Sequence, residues 1–286
     1  MKLRYQIYGV LFQTFCLVSN LIALAFLLFL LLDVFSKGAG GLSLDFLTSY
    51  PSRFPGKAGI LSATFGTFAM MFLTALFAIP VGVGAAIYLE EYARPTRFIK
   101  LVKLNIHNLA GIPSIIYGIL GLTIFVRAMG LGRSIVAGSL TMALLILPVI
   151  TIAAQESLRA VPDSFRQAGF GIGMTRWQVI RHQLIPLAMP GILTGVILAL
   201  SRAIGEAAPM IMIGALSFVA FLPTSPLDSF TVLPIQIFNW AARPQKEFHD
   251  VAASAIIVLL VILLLMNAAA IIMRNHFKRK NRAIYN

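Results

Sequence analysis

The sequence predicts an all-α integral membrane protein with six transmembrane helices. The prediction rests on an apolar composition with few charges, on six apolar stretches long enough to cross a bilayer, and on an uneven placement of basic residues. Of the 286 residues, 59% are hydrophobic and 12% charged, and mean hydropathy is +0.89. Soluble domains carry about 25% charged residues. No stretch is left over for a separate soluble domain. The expectation is one transmembrane domain over 1–286, with its core at about 60–275 and a polar loop at 159–186.

A crossing helix needs roughly 20 apolar residues. The stretches 11–32, 61–88, 106–126, 135–154, 187–222 and 251–273 meet that need. The first is too long for a cleaved signal, and no small-residue cleavage site follows it before the polar loop at 36–57. It carries Cys16, the one cysteine, which cannot form an intrachain disulfide. The third contains Pro113 and Gly118, and the fifth is interrupted by Gly205, Pro209 and Gly214. Backbone breaks at membrane depth are tolerated against protein or a cavity, and small residues there also allow close helix packing. Tyr117, Met189, Met210 and Met212 read as packing residues.

Charge orients the spans. With both termini inside, the inner segments hold 15 of the 23 Lys and Arg residues: Lys2, Arg4, Arg94, Arg97, Lys100, Lys103, Arg159, Arg166, Arg176, Arg181, Arg274, Lys278, Arg279, Lys280 and Arg282. The outer loops hold 7, and Arg202 lies within the fifth span. This follows the positive-inside rule and accounts for the net charge of +13 without a nucleic-acid partner. His107, His182, His249 and His276 have no ligand-like spacing, so no metal site is assigned.

The polar loop 159–186 reads RAVPDSFRQAGFGIGMTRWQVIRHQLIP. It carries four arginines, and Pro162 and Pro186 bracket it. Phe165, Ala168 and Ile172 recur at helical spacing, as do Trp177, Ile180 and Leu184. Such an amphipathic piece, held by its own chain on both sides, suits docking into a partner's groove, with Gly173 turning the chain between two helical segments. Basic residues beside Phe165 and Trp177 also suit a lipid headgroup surface. Arg202 and Glu206 are a second feature: an ionisable pair four residues apart in an apolar span, which costs roughly 2.5–3.5 kcal/mol per charge at a helix centre. Two readings stand. Arg202 presents charge to a passing anion while Glu206 orients it, or the pair locks the span against its neighbours. Gly171-Ile172-Gly173 is not a nucleotide loop, and no GxxxxGK[ST] occurs, so any ATPase is another polypeptide.

The loop resembles the EAA loop of ABC importer permeases. Gln167-Ala168-Gly169, three residues, Gly173, nine residues and Gln183-Leu184-Ile185-Pro186 follow that spacing. Gln167, Gly169, Gln183 and Ile185 depart from the commoner residues. Gly111-Ile112-Pro113-Ser114-Ile115-Ile116-Tyr117-Gly118, Arg202-Ala203-Ile204-Gly205-Glu206-Ala207-Ala208-Pro209 and the run FTVLPIQIFNW at 230–240 resemble segments of phosphate importer permeases, of the PstA-type subunit. Many members carry an arginine where this chain has Ile152, so no anion-pathway role passes to that position.

The resemblance implies a type I ABC importer permease fold with a cytoplasmic coupling helix, in the bacterial inner membrane with both termini cytoplasmic. It implies no catalytic residue and no cofactor bound by this chain, ATP being used by a partner. Phe165, Gln167, Ala168, Gly169, Ile172, Gly173, Trp177, Ile180 and Leu184 would form the ATPase-docking surface, and Arg202 and Glu206 the substrate pathway. The implied partners are a second homologous permease, two ATP-binding subunits, an extracytoplasmic phosphate-binding protein and membrane lipid. A permease for molybdate or sulfate would share the coupling loop. A secondary transporter should show a repeated half, and none is seen between the first and last three spans.

Overall fold

The computed structural model describes residues 2–215 and 218–285, without the side chains of residues 2–8 and 277–285. Lys2, Arg4, Lys278, Arg279, Lys280 and Arg282, counted above as inner charges, have side chains outside this description.

The chain is helical throughout, in twelve α-helices among the described residues: α1 Lys2–Gly38, α2 Leu44–Thr48, α3 Leu61–Ile87, α4 Arg97–Ala110, α5 Ser114–Gly121, α6 Ile135–Arg159, α7 Asp163–Gly171, α8 Arg176–Val179, α9 Ile185–Gly205, α10 Ala208–Ile213, α11 Leu233–Ala241 and α12 Lys246–Tyr285. Wider π-helical turns at Tyr88–Tyr92, Leu122–Ala128 and Ile180–Leu184 extend α3 and α5 and lead into α9. Five helices are long and apolar enough to cross a membrane, six if the bent pair of α4 and the α5 segment counts as one span. This is a multi-pass membrane protein.

Helix α6 is the hub. Two-thirds of its apolar window (67%) is buried, against 0% for α1 and 6% for α12. It packs on α3, α9, α5 and α4 through small residues. A Cβ added to Gly195 of α9 would lie 2.2 Å from Ala153 Cβ, and one on Gly121 of α5 would lie 2.0 Å from Thr141 Oγ1. In lipid there is no hydrophobic drive between helices, so such close approach is what holds them together.

The ends of the bundle sort cleanly. At one end the Ser254 hydroxyl donates to the Gly38 carbonyl (2.8 Å), Ser62 to Val219 (2.7 Å), and the Leu233 N–H to Thr67 Oγ1 (2.9 Å). The segment 225–229 straps the start of α6 at that same end, with the Ile135 N–H donating to Asp228 and that of Val136 to Pro226. Helix α11 lies there too, and the fully buried Phe230, Trp240 and Phe248 fill that end. The stretch between the fifth and sixth expected spans is therefore packed into this end of the bundle.

Two expected spans are redrawn. The third, 106–126, is broken: α4 and the α5 segment meet at 104°. Pro113 has no N–H and disfavours a helical Ile112, so the chain turns at Gly111–Pro113. The Tyr117 hydroxyl donates to the Leu109 carbonyl (2.7 Å) across the elbow. Helix α4, bearing Arg97, Lys100 and Lys103 and no buried residue, lies across the bundle end instead of running through it. The fifth span, read as 187–222, stops at Gly205. Glu206 is extended (ψ 110°), α10 is only 6 residues long, and Gly214 ends it in the left-handed region (φ +78°).

Gly195→Leu should drive α6 and α9 apart. Overpacking costs about 1–3 kcal/mol, so the detergent-solubilised variant should melt at a clearly lower temperature than the parent. An unchanged melting temperature would contradict the packing described.

Candidate functional site

The π-helical turn Tyr88–Tyr92 reads YLEEY, and its two carboxylates gather the surrounding cations. Glu90 accepts from Lys103 Nζ of α4 (2.7 Å), from Gln155 Nε2 of α6 (3.0 Å), and from Arg159 through Nη2 and Nε (both 2.9 Å). Glu91 accepts from Arg166 Nη2 of α7 (2.8 Å). Arg166 also donates to Asp163 Oδ1 (3.0 Å) and to the carbonyls of Val161 and Leu158 (3.0 and 3.1 Å). Bonding to Glu91, opposed by desolvation, raises the Arg166 guanidinium above its ordinary value. The end of α3, the helices α4 and α6 and the first helix of the polar loop are thus held together by two side chains that are 11% and 10% exposed. The residue pattern held a signal that went unread: two adjacent glutamates close an apolar span, and every charged residue in the next segment is basic.

Beyond this anchor the loop turns back on itself. Gly173 takes φ +82°, and the Met174 N–H donates to the Gly169 carbonyl (3.0 Å). Thr175 and Gln178 form a reciprocal capping box that starts α8. Arg176 lies over the Tyr92 ring, 5.6 Å from its centroid. Gly169 is buried, and a Cβ there would meet Val179 Cγ2 at 2.8 Å and the Gln183 amide at 3.1 Å. Two departures from the EAA pattern, Gly169 and Gln183, therefore face each other.

The nine residues expected to dock are divided by this geometry. Gln167, Ala168, Ile172, Gly173 and Trp177 are exposed. Ile172 is 76% and Trp177 52% exposed, and Phe170, not among the nine, is 49% exposed beside them in sequence. Phe165 is half-buried against the core. Ile180 and Leu184 are fully buried. Helical spacing identifies an apolar face, but here α8 and the π-helical turn point theirs inward, at the start of α9. Ile180, Leu184 and Gly169 therefore shape the loop without being available on its surface.

Arg202 and Glu206 meet through a single contact, Nε to Oε1 at 3.3 Å. The Arg202 side chain is 50% exposed and that of Glu206 22%. Arg202 sits on the last turn of α9, whereas Glu206 lies just beyond it, so the pair straddles a helix end. Tyr117 is buried at the α4–α5 elbow, and Gly118 packs on Pro209 and Met212 of α10. Ile152 is half-buried on α6.

Residues 78–283 match the model of the binding-protein-dependent transport system inner membrane component. This chain belongs to that family. The family member is 31% identical over 255 residues to the phosphate transport system permease protein PstA 1 of Mycobacterium tuberculosis, covering 86% of this chain and 81% of that protein. It is 33% identical over 237 residues to PstA of Haemophilus influenzae, covering 82% of each. The probable ABC transporter permease protein YqgH of Bacillus subtilis is 38% identical over 195 residues, which is 65% of this chain and 62% of that protein. Among solved structures, the MetNI methionine ABC transporter in an inward-facing conformation matches with TM-score 0.64 at 16% identity, over 76% of this chain and 95% of that one. The bacterial alginate ABC transporter, in complex with its pentasaccharide-bound periplasmic protein, matches with TM-score 0.65 at 18% identity, over 96% of this chain and 94% of that one. The fold is that of ABC importer permeases.

Glu91→Ala should release α7. Tryptic cleavage within 159–186 of the solubilised protein should quicken by about tenfold, or ~1.4 kcal/mol, below the roughly 3–5 kcal/mol of a fully buried pair because Asp163 remains. Cleavage at the parental rate would show that Glu91 does not anchor the loop.

Proposed function

We propose that this chain is a transmembrane permease subunit of an ATP-driven phosphate importer. The reading is carried by one conjunction: a loop that exposes Phe170, Ile172 and Trp177 while being bonded to the spans, in a chain whose phosphate-permease relatives align over more than four-fifths of it. Large apolar side chains on a polar loop lose free energy in water unless a partner covers them. The partner is an ATP-binding subunit, present in two copies and carrying the nucleotide site that this chain lacks. A second, related permease completes the pathway, and an external phosphate-binding protein delivers the anion. The chain works as one permease domain, with both termini and the 159–186 loop in the cytoplasm and 221–250 outside.

In this reading, closure of the ATP-binding subunits displaces α7 and α8. The Arg166–Glu91 bond carries the displacement to α3, and the buried Ile180 and Leu184 carry it into α9. Arg202 sits on the last turn of α9, so movement of the loop changes how that charge is presented to the anion. No residue of this chain performs chemistry; it opens and closes a path.

Ile172→Asp combined with Trp177→Ala changes only exposed side chains. The variant should insert normally, yet retain about tenfold less copurifying ATP-binding subunit, a modest loss for two anchors of an interface, and should lose phosphate uptake. Undiminished copurification would remove the loop from the interface. Orientation has its own check. With Cys16 replaced by Ser, cysteines at Ser164 and Leu227 should label from opposite faces of sealed vesicles, and labelling from one face would overturn the topology.

A further inference from the structure

The link between the third and fourth crossings delivers a cation to the end of the bundle opposite the docking loop. Gly130 and Gly132 both take left-handed conformations (φ +67° and +63°), and Arg133 follows directly, before the Ser134 cap of α6. The guanidinium group lies on Gly214: a Cβ built there would sit 2.9 Å from Nε and 3.0 Å from Cζ of Arg133. Gly214 closes α10, and Glu206 and Arg202 stand just before its other end. With 6 residues in α10, that helix is about 9 Å long at 1.5 Å per residue. One short helix therefore separates the Gly214 site from the Arg202 pair.

Among the described residues neither Arg133 nor Arg127, which ends the π-helical turn leading into the same link, has an ion-pair partner. The acidic residue on the neighbouring strap, Asp228, is already engaged: its Oδ2 accepts from the Thr224 N–H (2.8 Å), the Thr224 hydroxyl (3.1 Å) and the Ser225 N–H (2.8 Å). Those backbone donors hold its carboxyl below the usual carboxylate range, so it stays ionised and turned into its own turn. The Gly214 N–H donates to Ile211 (3.0 Å) and the Ala215 N–H to Met210 (3.1 Å), so the backbone closes that end itself. An exposed guanidinium with no ion-pair partner among the described residues, at the end of the helix that leads to Arg202, is arranged for an external anion.

We propose that Arg133 is the anion-receiving residue at the outer end of the pathway. It takes a doubly charged tetrahedral oxyanion, hydrogen phosphate, from the extracytoplasmic side before the anion reaches Arg202, and Arg127 adds to the local positive field. The planar fork of Arg suits two oxygens of such an anion. Exposure keeps the contact weak enough to be left again, as transport requires. The proposal rests on the phosphate-import reading above.

The test uses the assembled transporter in proteoliposomes with its phosphate-binding protein, following labelled phosphate uptake and ATP hydrolysis in the same vesicles. Arg133→Gln should lower phosphate carried per ATP hydrolysed by about tenfold, the low end of what focused charge contributes to ion capture. ATP hydrolysis stimulated by loaded binding protein should be unchanged, and Arg133→Lys should restore most of the uptake. Arg133→Gln with parental uptake per ATP would overturn the proposal. So would uptake and hydrolysis falling together, which marks a structural role. If the parent carries molybdate or sulfate instead of phosphate, the function proposed above fails, and the same ratio measured with that anion still decides the role of Arg133.

Discussion

The end of the bundle that carries the 159–186 loop depends on two glutamates. Glu90 and Glu91 sit on one π-helical turn and collect Lys103, Gln155, Arg159 and Arg166 from three other helices. A carboxylate this buried survives only with its charge matched and its lone pairs filled. Glu90 meets that condition with four hydrogen bonds. The consequence is mechanical. Helix α7 cannot shift without loading α3, and the end of α6 is tied to the same turn. Since α6 is also the most buried crossing helix, a push on the loop reaches the hub of the bundle directly.

The π-helical turns fall where load would be passed. One carries Glu90 and Glu91, one follows α5 and ends at Arg127, and one joins the 159–186 loop to α9. A π-helical turn is a costly local geometry often found at functional positions. At Ile180–Leu184 it has a visible use: it turns Ile180 and Leu184 wholly into the core while Trp177, one turn earlier, faces out. A continuous α-helix from Arg176 would keep positions 177, 180 and 184 on one side.

That difference marks how far the residues alone could be read. The apolar stretches at 61–88, 135–154 and 251–273 were legible because hydropathy reports length reliably. The elbow at Gly111–Pro113 was not, because 106–126 has the same hydropathy whether straight or bent. The fifth span was overrun because residues 206–222 stay apolar after the helix has ended. Three segments quoted for their resemblance turned out to be three irregular features: the α4–α5 elbow, the α9–α10 break and α11. Of the docking set, spacing could find Ile172 and Trp177 but could not tell their side of the loop from that of Ile180 and Leu184. Glu90 and Glu91 are not legible in the sequence because their partners lie 65–75 residues away, apart from Lys103.

The pair in the fifth span also reads differently with its geometry in hand. A bond built to lock helices together would be buried and would engage both ends of the guanidinium. Arg202 is half exposed, is held through Nε alone at 3.3 Å, and meets an acid that lies past the helix end. Glu206 caps α9 with an extended backbone, its N–H donating to the Ala203 carbonyl (3.2 Å). Partial neutralisation also limits how tightly Arg202 could hold an anion, which favours release. In the proposed pathway, a charge held this loosely suits an anion that must be let go.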